Sequence, residues 1–112
     1  MALPRINIYG YMFHGLFGPA NIRRFERRPG VYIVTCACGK DSYHLEIGET
    51  ADVQSFFLTH PSLANWCNGC KCSSSSRGPV YFAAFYCPKG GKHDRKELVL
   101  KVLTRATAEG QI

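Results

Sequence analysis

The sequence predicts a small α/β fold with about three mainly antiparallel strands flanked by helices. Three observations lead to this prediction. Residues 29–50 read as a β-hairpin, residues 79–87 form an almost uninterrupted apolar run, and the residues after Asp94 show helical periodicity. A hairpin, a helix, a strand and a final helix in this order are typical of a compact sheet covered by helices.

Length and composition favour one ordinary domain. The chain has 112 residues, of which 46% are hydrophobic and 12% aromatic, enough to build a core. No apolar run reaches the ~20 residues that cross a bilayer, so we expect no membrane partner. The N-terminus lacks a basic segment followed by a clean apolar core, so we expect no signal peptide and a cytoplasmic protein with reduced thiols.

Residues 1–28 are predicted to form an aromatic and basic arm that packs on the domain formed by residues 29–112. The first 20 residues are rich in glycine and aromatic residues and show no sustained period, which indicates irregular structure. Asn21 is a candidate cap for a short helical turn that Pro29 would end.

The hairpin from Pro29 to Thr50 has its predicted turn at residues 39–42, between two stretches rich in β-branched and aromatic residues. Thr50 is a plausible cap for a helix from Ala51 to about His60, which Pro61 should end. The polar, serine-rich stretch that follows reads as a long loop.

The apolar run at residues 79–87 reads as a central strand covered on both faces. After a basic turn, Asp94 and Glu97 form an Asp-x-x-Glu variant of the capping box, which predicts the start of the last helix. The apolar residues of this helix share one face: Leu98, Val99, Val102, Leu103 and Ala106.

Two short motifs lie on the predicted hairpin. Gly30-Val31-Tyr32 opens its first strand, and Glu46-Ile47-Gly48 closes its second. Together with the helix and the glutamate-bearing last helix, they resemble the paired signatures of the GIY-YIG nuclease superfamily. The resemblance runs from about Pro29 to the last helix, and it implies a compact GIY-YIG-like sandwich and DNA as the partner.

The resemblance also implies roles for individual residues. Hydrolysis of a phosphodiester uses a divalent cation and an arginine to stabilise growing charge, and a phenol or base to orient water. By position, Tyr32 matches the tyrosine of the first motif, Gly48 the end of the second, and Glu97 the glutamate that would bind Mg²⁺ or Mn²⁺. His60 lies where many members carry a histidine.

Two departures weaken the predicted chemistry. Glu46 replaces the second tyrosine, and Phe56 stands where the first helix is expected to carry an arginine. No arginine occurs between Arg28 and Arg77, and losing one preorganised charge stabiliser typically costs ~3 kcal/mol in the transition state. Arg77, from the loop, is the candidate substitute.

The candidate site residues also have plain structural interpretations. Tyr32 is equally well a half-buried strand residue, Glu97 a helix cap, and His60 a residue at a helix end. Glu46, between two apolar neighbours, needs a partner or solvent. Glu46, Glu49 and Glu97 would form a cation site only if the fold brought them together.

The net charge of +6, from 14 basic and 8 acidic residues, suits a nucleic-acid partner. Two clusters carry the candidate contacts: Arg23, Arg24, Arg27 and Arg28 in one, and Lys92, Arg95 and Lys96 in the other. Such clusters are also common on solvated surfaces.

Six cysteines leave three alternatives open. The spacing of Cys67, Cys70 and Cys72 suits structural Zn²⁺, with a fourth ligand from Cys36, Cys38, Cys87 or His60. Free thiols, some buried as small hydrophobic residues, are the second alternative. Disulfides are the third and would suit an oxidising compartment.

The sequence therefore favours a GIY-YIG-like domain that binds DNA, with endonuclease activity weakened or lost. The alternative is a non-enzymatic interaction module stabilised by zinc. The second alternative is an active metal-dependent endonuclease rebuilt around Glu46, Glu97 and Arg77. Because fold does not determine function, the resemblance favours nuclease ancestry more than nuclease activity.

Overall fold

The computed structural model describes residues 5–38, 41–60, 70–71, 77–78, 80–87 and 91–110, with the backbone alone for 37–38, 41–43, 70–71 and 77–78. The strands are β1 Arg5–Ile8, β2 Tyr11–Phe17, β3 Gly30–Cys38, β4 Asp41–Thr50, β5 Cys70–Lys71, β6 Arg77–Gly78 and β7 Val80–Tyr86. The helices are a 3-10 helix Pro19–Arg24, α1 Val53–Thr59 and α2 Lys92–Ala108.

Five of the strands form one sheet in the order β1-β2-β7-β3-β4, and every neighbouring pair is antiparallel. Strands β5 and β6 form a separate two-stranded ribbon. The predicted α/β class and antiparallel pairing are confirmed. The prediction of about three strands is wrong, because the main sheet has five.

The two additional strands come from the segment predicted to be an irregular arm. Tyr9 and Gly10, with φ of 54° and 90°, form the tight turn that joins β1 to β2. Gly15 breaks the apolar pattern of β2, but β2 needs it, because a Cβ there would lie 2.7 Å from the carbonyl oxygen of Phe82 on β7. Residues 5–7 of β1 are exposed, so this edge strand has no alternation that the sequence could reveal.

Helices cover both faces of the sheet, and each face has its own core. On the α1 face, Tyr32, Val34 and Phe82 pack with Val53 and Phe57 of α1. On the α2 face, the alternate residues of the same strands, among them Val31, Ile33 and Ala83, pack with Val102 of α2. Successive side chains of a strand point to opposite faces, so neighbours in sequence serve different cores.

Both helices begin at residues other than the predicted caps. Asp52, not Thr50, caps α1, since its carboxylate accepts a hydrogen bond of 3.0 Å from the Ser55 backbone N–H. Helix α2 begins two residues before Asp94, with Gly91 at its cap. The capping box of Asp94 and Glu97 is therefore wrong, because both residues lie inside the helix.

Candidate functional site

The two motif-bearing strands pair in a register that brings the motif residues together. Tyr32 lies opposite Gly48 and Val34 opposite Glu46, all on the α1 face. Gly48 is required beneath the tyrosine ring, because a Cβ there would lie 2.5 Å from the Tyr32 hydroxyl oxygen and 2.7 Å from its Cζ. The absence of a side chain at position 48 thus lets the phenol cross over to β4.

The Tyr32 hydroxyl donates a hydrogen bond of 2.6 Å to Oε2 of Glu46. Tyr32 is 5% exposed. Burial first, and then the hydrogen bond to Glu46, raises the pKa of the Tyr32 phenol far above its usual value. The phenol therefore stays protonated at neutral pH, so it acts as a donor and does not remove a proton from water.

His60, the residue that ends α1, approaches the same carboxylate. Its Nε2 lies 3.4 Å from Oε2 of Glu46, and its side chain is 16% exposed. The ring of Phe56 contacts both of these rings, with its centroid 4.4 Å from that of Tyr32 and 4.8 Å from that of His60. Phe56 thereby fills the space beside Tyr32 where the resemblance implied an arginine.

We refer to Tyr32, Glu46 and His60 as the hairpin cluster. Both recorded contacts of Glu46 fall on Oε2, and its side chain is 35% exposed. Its other oxygen, Oε1, has no partner among the described side chains. The cluster can therefore accept a hydrogen bond or contribute one oxygen to a cation, with the carboxylate held in place by a phenol and an imidazole.

The structure does not bring Glu97 to the hairpin cluster. Glu97 lies on α2, which covers the opposite face of the sheet, and its Oε1 is 3.1 Å from Nε2 of His93. Its side chain is 58% exposed. Glu97 and Glu46 therefore lie on opposite faces of the sheet and do not share one cation site.

Glu49 also lies apart from the hairpin cluster. It is opposite Val31 on β4 and faces α2, where its Oε2 is 2.9 Å from Nε of Arg95. The cation site of Glu46, Glu49 and Glu97 is therefore not formed. Within the described ranges, no three or more His, Cys, Asp or Glu side chains are grouped in a way that would hold a metal ion.

Arg95, one of the predicted nucleic-acid contacts, is buried against the sheet. Its side chain is 9% exposed, and its guanidinium serves the ion pair with Glu49. A buried, paired arginine is not available to a phosphate. The sequence spacing could have predicted this burial, because Arg95 lies three residues before Leu98 and seven before Val102, on the apolar face of the helix.

The other basic candidates are exposed, but on opposite sides of the molecule. Lys92 and Lys96 lie on α2. The remaining four form a segment beside α1, which we refer to as the arginine segment: Arg23, Arg24, Arg27 and Arg28. The backbone N–H of Val53 donates to the Arg28 carbonyl at 3.0 Å, and the Gln54 amide nitrogen Nε2 donates to the Arg23 carbonyl at 2.9 Å.

Several predicted residues lie outside what the structure describes. Cys67 and Cys72 are outside the described residues, and Cys70 and Arg77 are described by their backbone alone, in β5 and β6. Cys36 is disulfide-bonded, so it is not a free thiol. Cys87 is a free, half-buried thiol whose pKa burial raises.

No protein-family model, curated protein or solved structure matches this chain. None of the three helices in the described ranges is long and apolar enough to span a membrane. The interpretation of the site therefore depends on its own geometry.

Proposed function

We propose that this chain is a GIY-YIG-like domain that binds DNA through the arginine segment and has weakened or lost the ability to cleave it. The observation that carries the proposal is the register of β3 and β4. It places Tyr32 over Gly48 and against Glu46, which is the juxtaposition that paired motifs on one hairpin would produce.

The loss of cleavage is supported by what surrounds the hairpin cluster. Phe56 contacts both Tyr32 and His60, so an apolar ring occupies the side on which a transition-state arginine would be needed. Glu97 is on the other face of the sheet. A phosphodiester at the cluster would therefore meet one carboxylate, one phenol and one imidazole, without the arginine that would stabilise the charge growing in the transition state.

DNA binding is supported by the exposed arginine segment on the same side of the sheet. Ile22 and Phe25 anchor the segment in the α1-face core, while the four arginine side chains remain exposed. The segment adjoins the first turn of α1 and His60 follows its last, so about 10 Å separates the two at the helical rise of ~1.5 Å per residue. That distance is comparable to the spacing of a few phosphates along a DNA strand.

The test is the salt dependence of duplex binding, measured by fluorescence anisotropy on a labelled duplex. Each phosphate contact adds about 0.9 to the slope of log K against log salt, so Arg23→Gln/Arg24→Gln should reduce the slope by about 2. We expect a loss of about tenfold or more in affinity at low salt. Arg24 contacts the Phe17 ring and neither arginine has a carboxylate partner among the described side chains, so the fold should persist.

The matched control is Arg5→Gln/Lys101→Gln, which removes the same charge from exposed positions outside the segment. It should leave the slope within experimental error of the wild-type value. Equal losses in the two double variants would show a non-specific effect of net charge and would contradict binding through the arginine segment.

A second candidate function, metal-dependent cleavage at a rebuilt site, is favoured by one observation. Two polar side chains, Tyr32 from β3 and His60 from the end of α1, converge on Oε2 of Glu46, while Oε1 has no partner among the described residues. If this site cleaves DNA, Glu46→Gln should reduce the rate of plasmid nicking in Mg²⁺ or Mn²⁺ by about 100-fold or more.

Glu97→Gln is the matched comparison, because it makes the same chemical change on the opposite face of the sheet. It should nick at the wild-type rate if the hairpin cluster is the site. Nicking that survives in Glu46→Gln would come from a contaminant and would exclude this second function.

A further inference from the structure

A cavity of about 530 Å³ lies on the α2 face, away from the hairpin cluster. It is between the tip of the β1–β2 hairpin and the C-terminal end of α2. Its apolar wall includes Ile6, Ile8, Leu16 and Tyr81. The volume is in the range of small-molecule sites, which are mostly apolar with a few placed polar groups.

Two buried polar side chains, Thr35 and His44, form the floor of the cavity. His44 is 9% exposed, and its Nε2 lies 2.8 Å from the Tyr9 hydroxyl. Burial lowers the pKa of His44, so the ring is neutral at neutral pH. We assign the Tyr9 hydroxyl, the more acidic group, as the donor to Nε2, and this assignment leaves the proton of the neutral imidazole on Nδ1.

Nδ1 of His44 is buried and has no hydrogen-bond partner among the described residues. Nearly all buried polar groups in folded proteins are paired, and an unpaired one marks a site that water or a ligand completes. Beneath the floor, His44 therefore holds an unpaired polar atom that an acceptor atom reaching the bottom of the cavity would satisfy.

Tyr9 is held over the cavity by an unusual backbone. Its φ of 54° lies in the left-handed region that a bulky residue rarely adopts, at a turn position where Asn or Gly is preferred. The side chain of Tyr9 connects floor and mouth, since its hydroxyl meets His44 and its ring faces the guanidinium carbon of Arg105 at 6.0 Å. A tyrosine in this conformation is a reason to look for function at the site.

The mouth carries two opposite charges one helical turn apart, Arg105 and Glu109. Both are exposed, and neither has an ion-pair partner among the described side chains. Side chains four residues apart on a helix are neighbours. The contact with the Tyr9 ring steadies the guanidinium while leaving its N–H edge available to a carboxylate.

We propose that this cavity binds a small zwitterion with an aromatic body and a polar atom at its far end, the chemistry of a free hydroxylated aromatic α-amino acid. The carboxylate binds at Arg105, the ammonium at Glu109, and the ring lies along Ile8 and Tyr81. The polar atom of the ring accepts the hydrogen bond from His44. This binding is independent of the proposed DNA-binding function, because it uses the other face of the sheet.

The test compares L-tyrosine with three analogues that each lack one of its groups. Tyramine lacks the carboxylate, para-hydroxyphenylpropionate lacks the ammonium, and L-phenylalanine lacks the hydroxyl. Binding is followed through the backbone amide shifts of the labelled protein. We expect saturable shifts at residues 6–10, 44 and 105–109, with L-tyrosine bound about tenfold more tightly than each analogue. The absence of saturable shifts up to the solubility limit of every probe would overturn the proposal.

Variants of the two exposed charged residues test which group of the ligand each residue binds. Arg105→Gln should make L-tyrosine and tyramine bind equally, and Glu109→Gln should do the same for L-tyrosine and para-hydroxyphenylpropionate. Arg5→Gln, a charge removed from β1 outside the cavity, should preserve the wild-type order of the four probes. If that order also stays unchanged in Arg105→Gln and Glu109→Gln, the zwitterion site is contradicted.

Discussion

Replacing Arg95 by alanine is expected to lower the free energy of unfolding by about 3–5 kcal/mol, because it leaves the Glu49 carboxylate buried without its cation. The side chains of Arg95 and Glu49 are only 9% and 16% exposed, and Nε and Oε2 are 2.9 Å apart. The pair also connects α2 to the edge strand β4. Urea unfolding followed by circular dichroism measures the change.

The double variant Arg95→Met/Glu49→Leu separates two contributions to stability: the net stabilisation by the Arg95–Glu49 ion pair, and the cost of leaving Glu49 buried without a cation. Two apolar side chains of similar volume remove both charges together, so the double variant should be within about 1 kcal/mol of wild type or more stable. Lys96→Ala, at the exposed neighbouring position, should change stability by less than about 0.5 kcal/mol. A small effect of Arg95→Ala would show that solvent reaches Glu49.

Replacing Gly48 by alanine is expected to destabilise the fold by about 2–3 kcal/mol, because the new Cβ would overlap the Tyr32 ring. The ring has no room to move away: Phe56 lies at 4.4 Å and Phe57 at 5.6 Å between ring centroids. The same movement would break the hydrogen bond from Tyr32 to Glu46. Thermal and urea unfolding of the variant measure the loss.

Removing the Tyr32 ring should remove most of the destabilisation that Gly48→Ala causes. In a Tyr32→Ala background, Gly48→Ala should lower stability by less than about 1 kcal/mol further, a coupling that only residues in contact show. Gly18→Ala is the matched control, since a Cβ at position 18 would meet nothing within 4 Å. If the penalty at position 48 is the same with and without the tyrosine ring, the packing of Tyr32 over Gly48 is wrong.

Local patterns predicted two parts of the fold well, and the hairpin is the first of them. The two predicted strands of the hairpin correspond to β3 and β4, because pairing between adjacent β-prone stretches is specified by neighbouring residues. Of the predicted turn, residues 41 and 42 belong to β4, and residues 39 and 40 lie outside the described residues. The strand at residues 79–87 was equally clear, and β7 covers Val80–Tyr86. In contrast, β1 is an exposed edge strand, and β2 depends on a glycine that sequence patterns read as a breaker.

The candidate site was predictable only in part, because tertiary packing determines which face of the sheet each helix covers. The predicted hairpin placed Tyr32 and Glu46 on neighbouring strands, and the observed register brings their side chains to one face of the sheet. The sequence carried no information on which face α2 would cover, and this choice separates Glu97 from Glu46. The cavity residues Tyr9, His44 and Arg105 come from three elements distant in the chain, so no local motif joins them.

The most direct test of binding without cleavage is one gel-shift measurement on supercoiled plasmid. The plasmid is incubated with the protein and Mn²⁺ at low salt, and each sample is run before and after digestion of the protein. The predicted result is retarded plasmid before digestion and intact supercoiled plasmid after it. Plasmid that is not retarded, or that is nicked by wild type and not by Glu46→Gln, would contradict a DNA-binding domain that has lost cleavage.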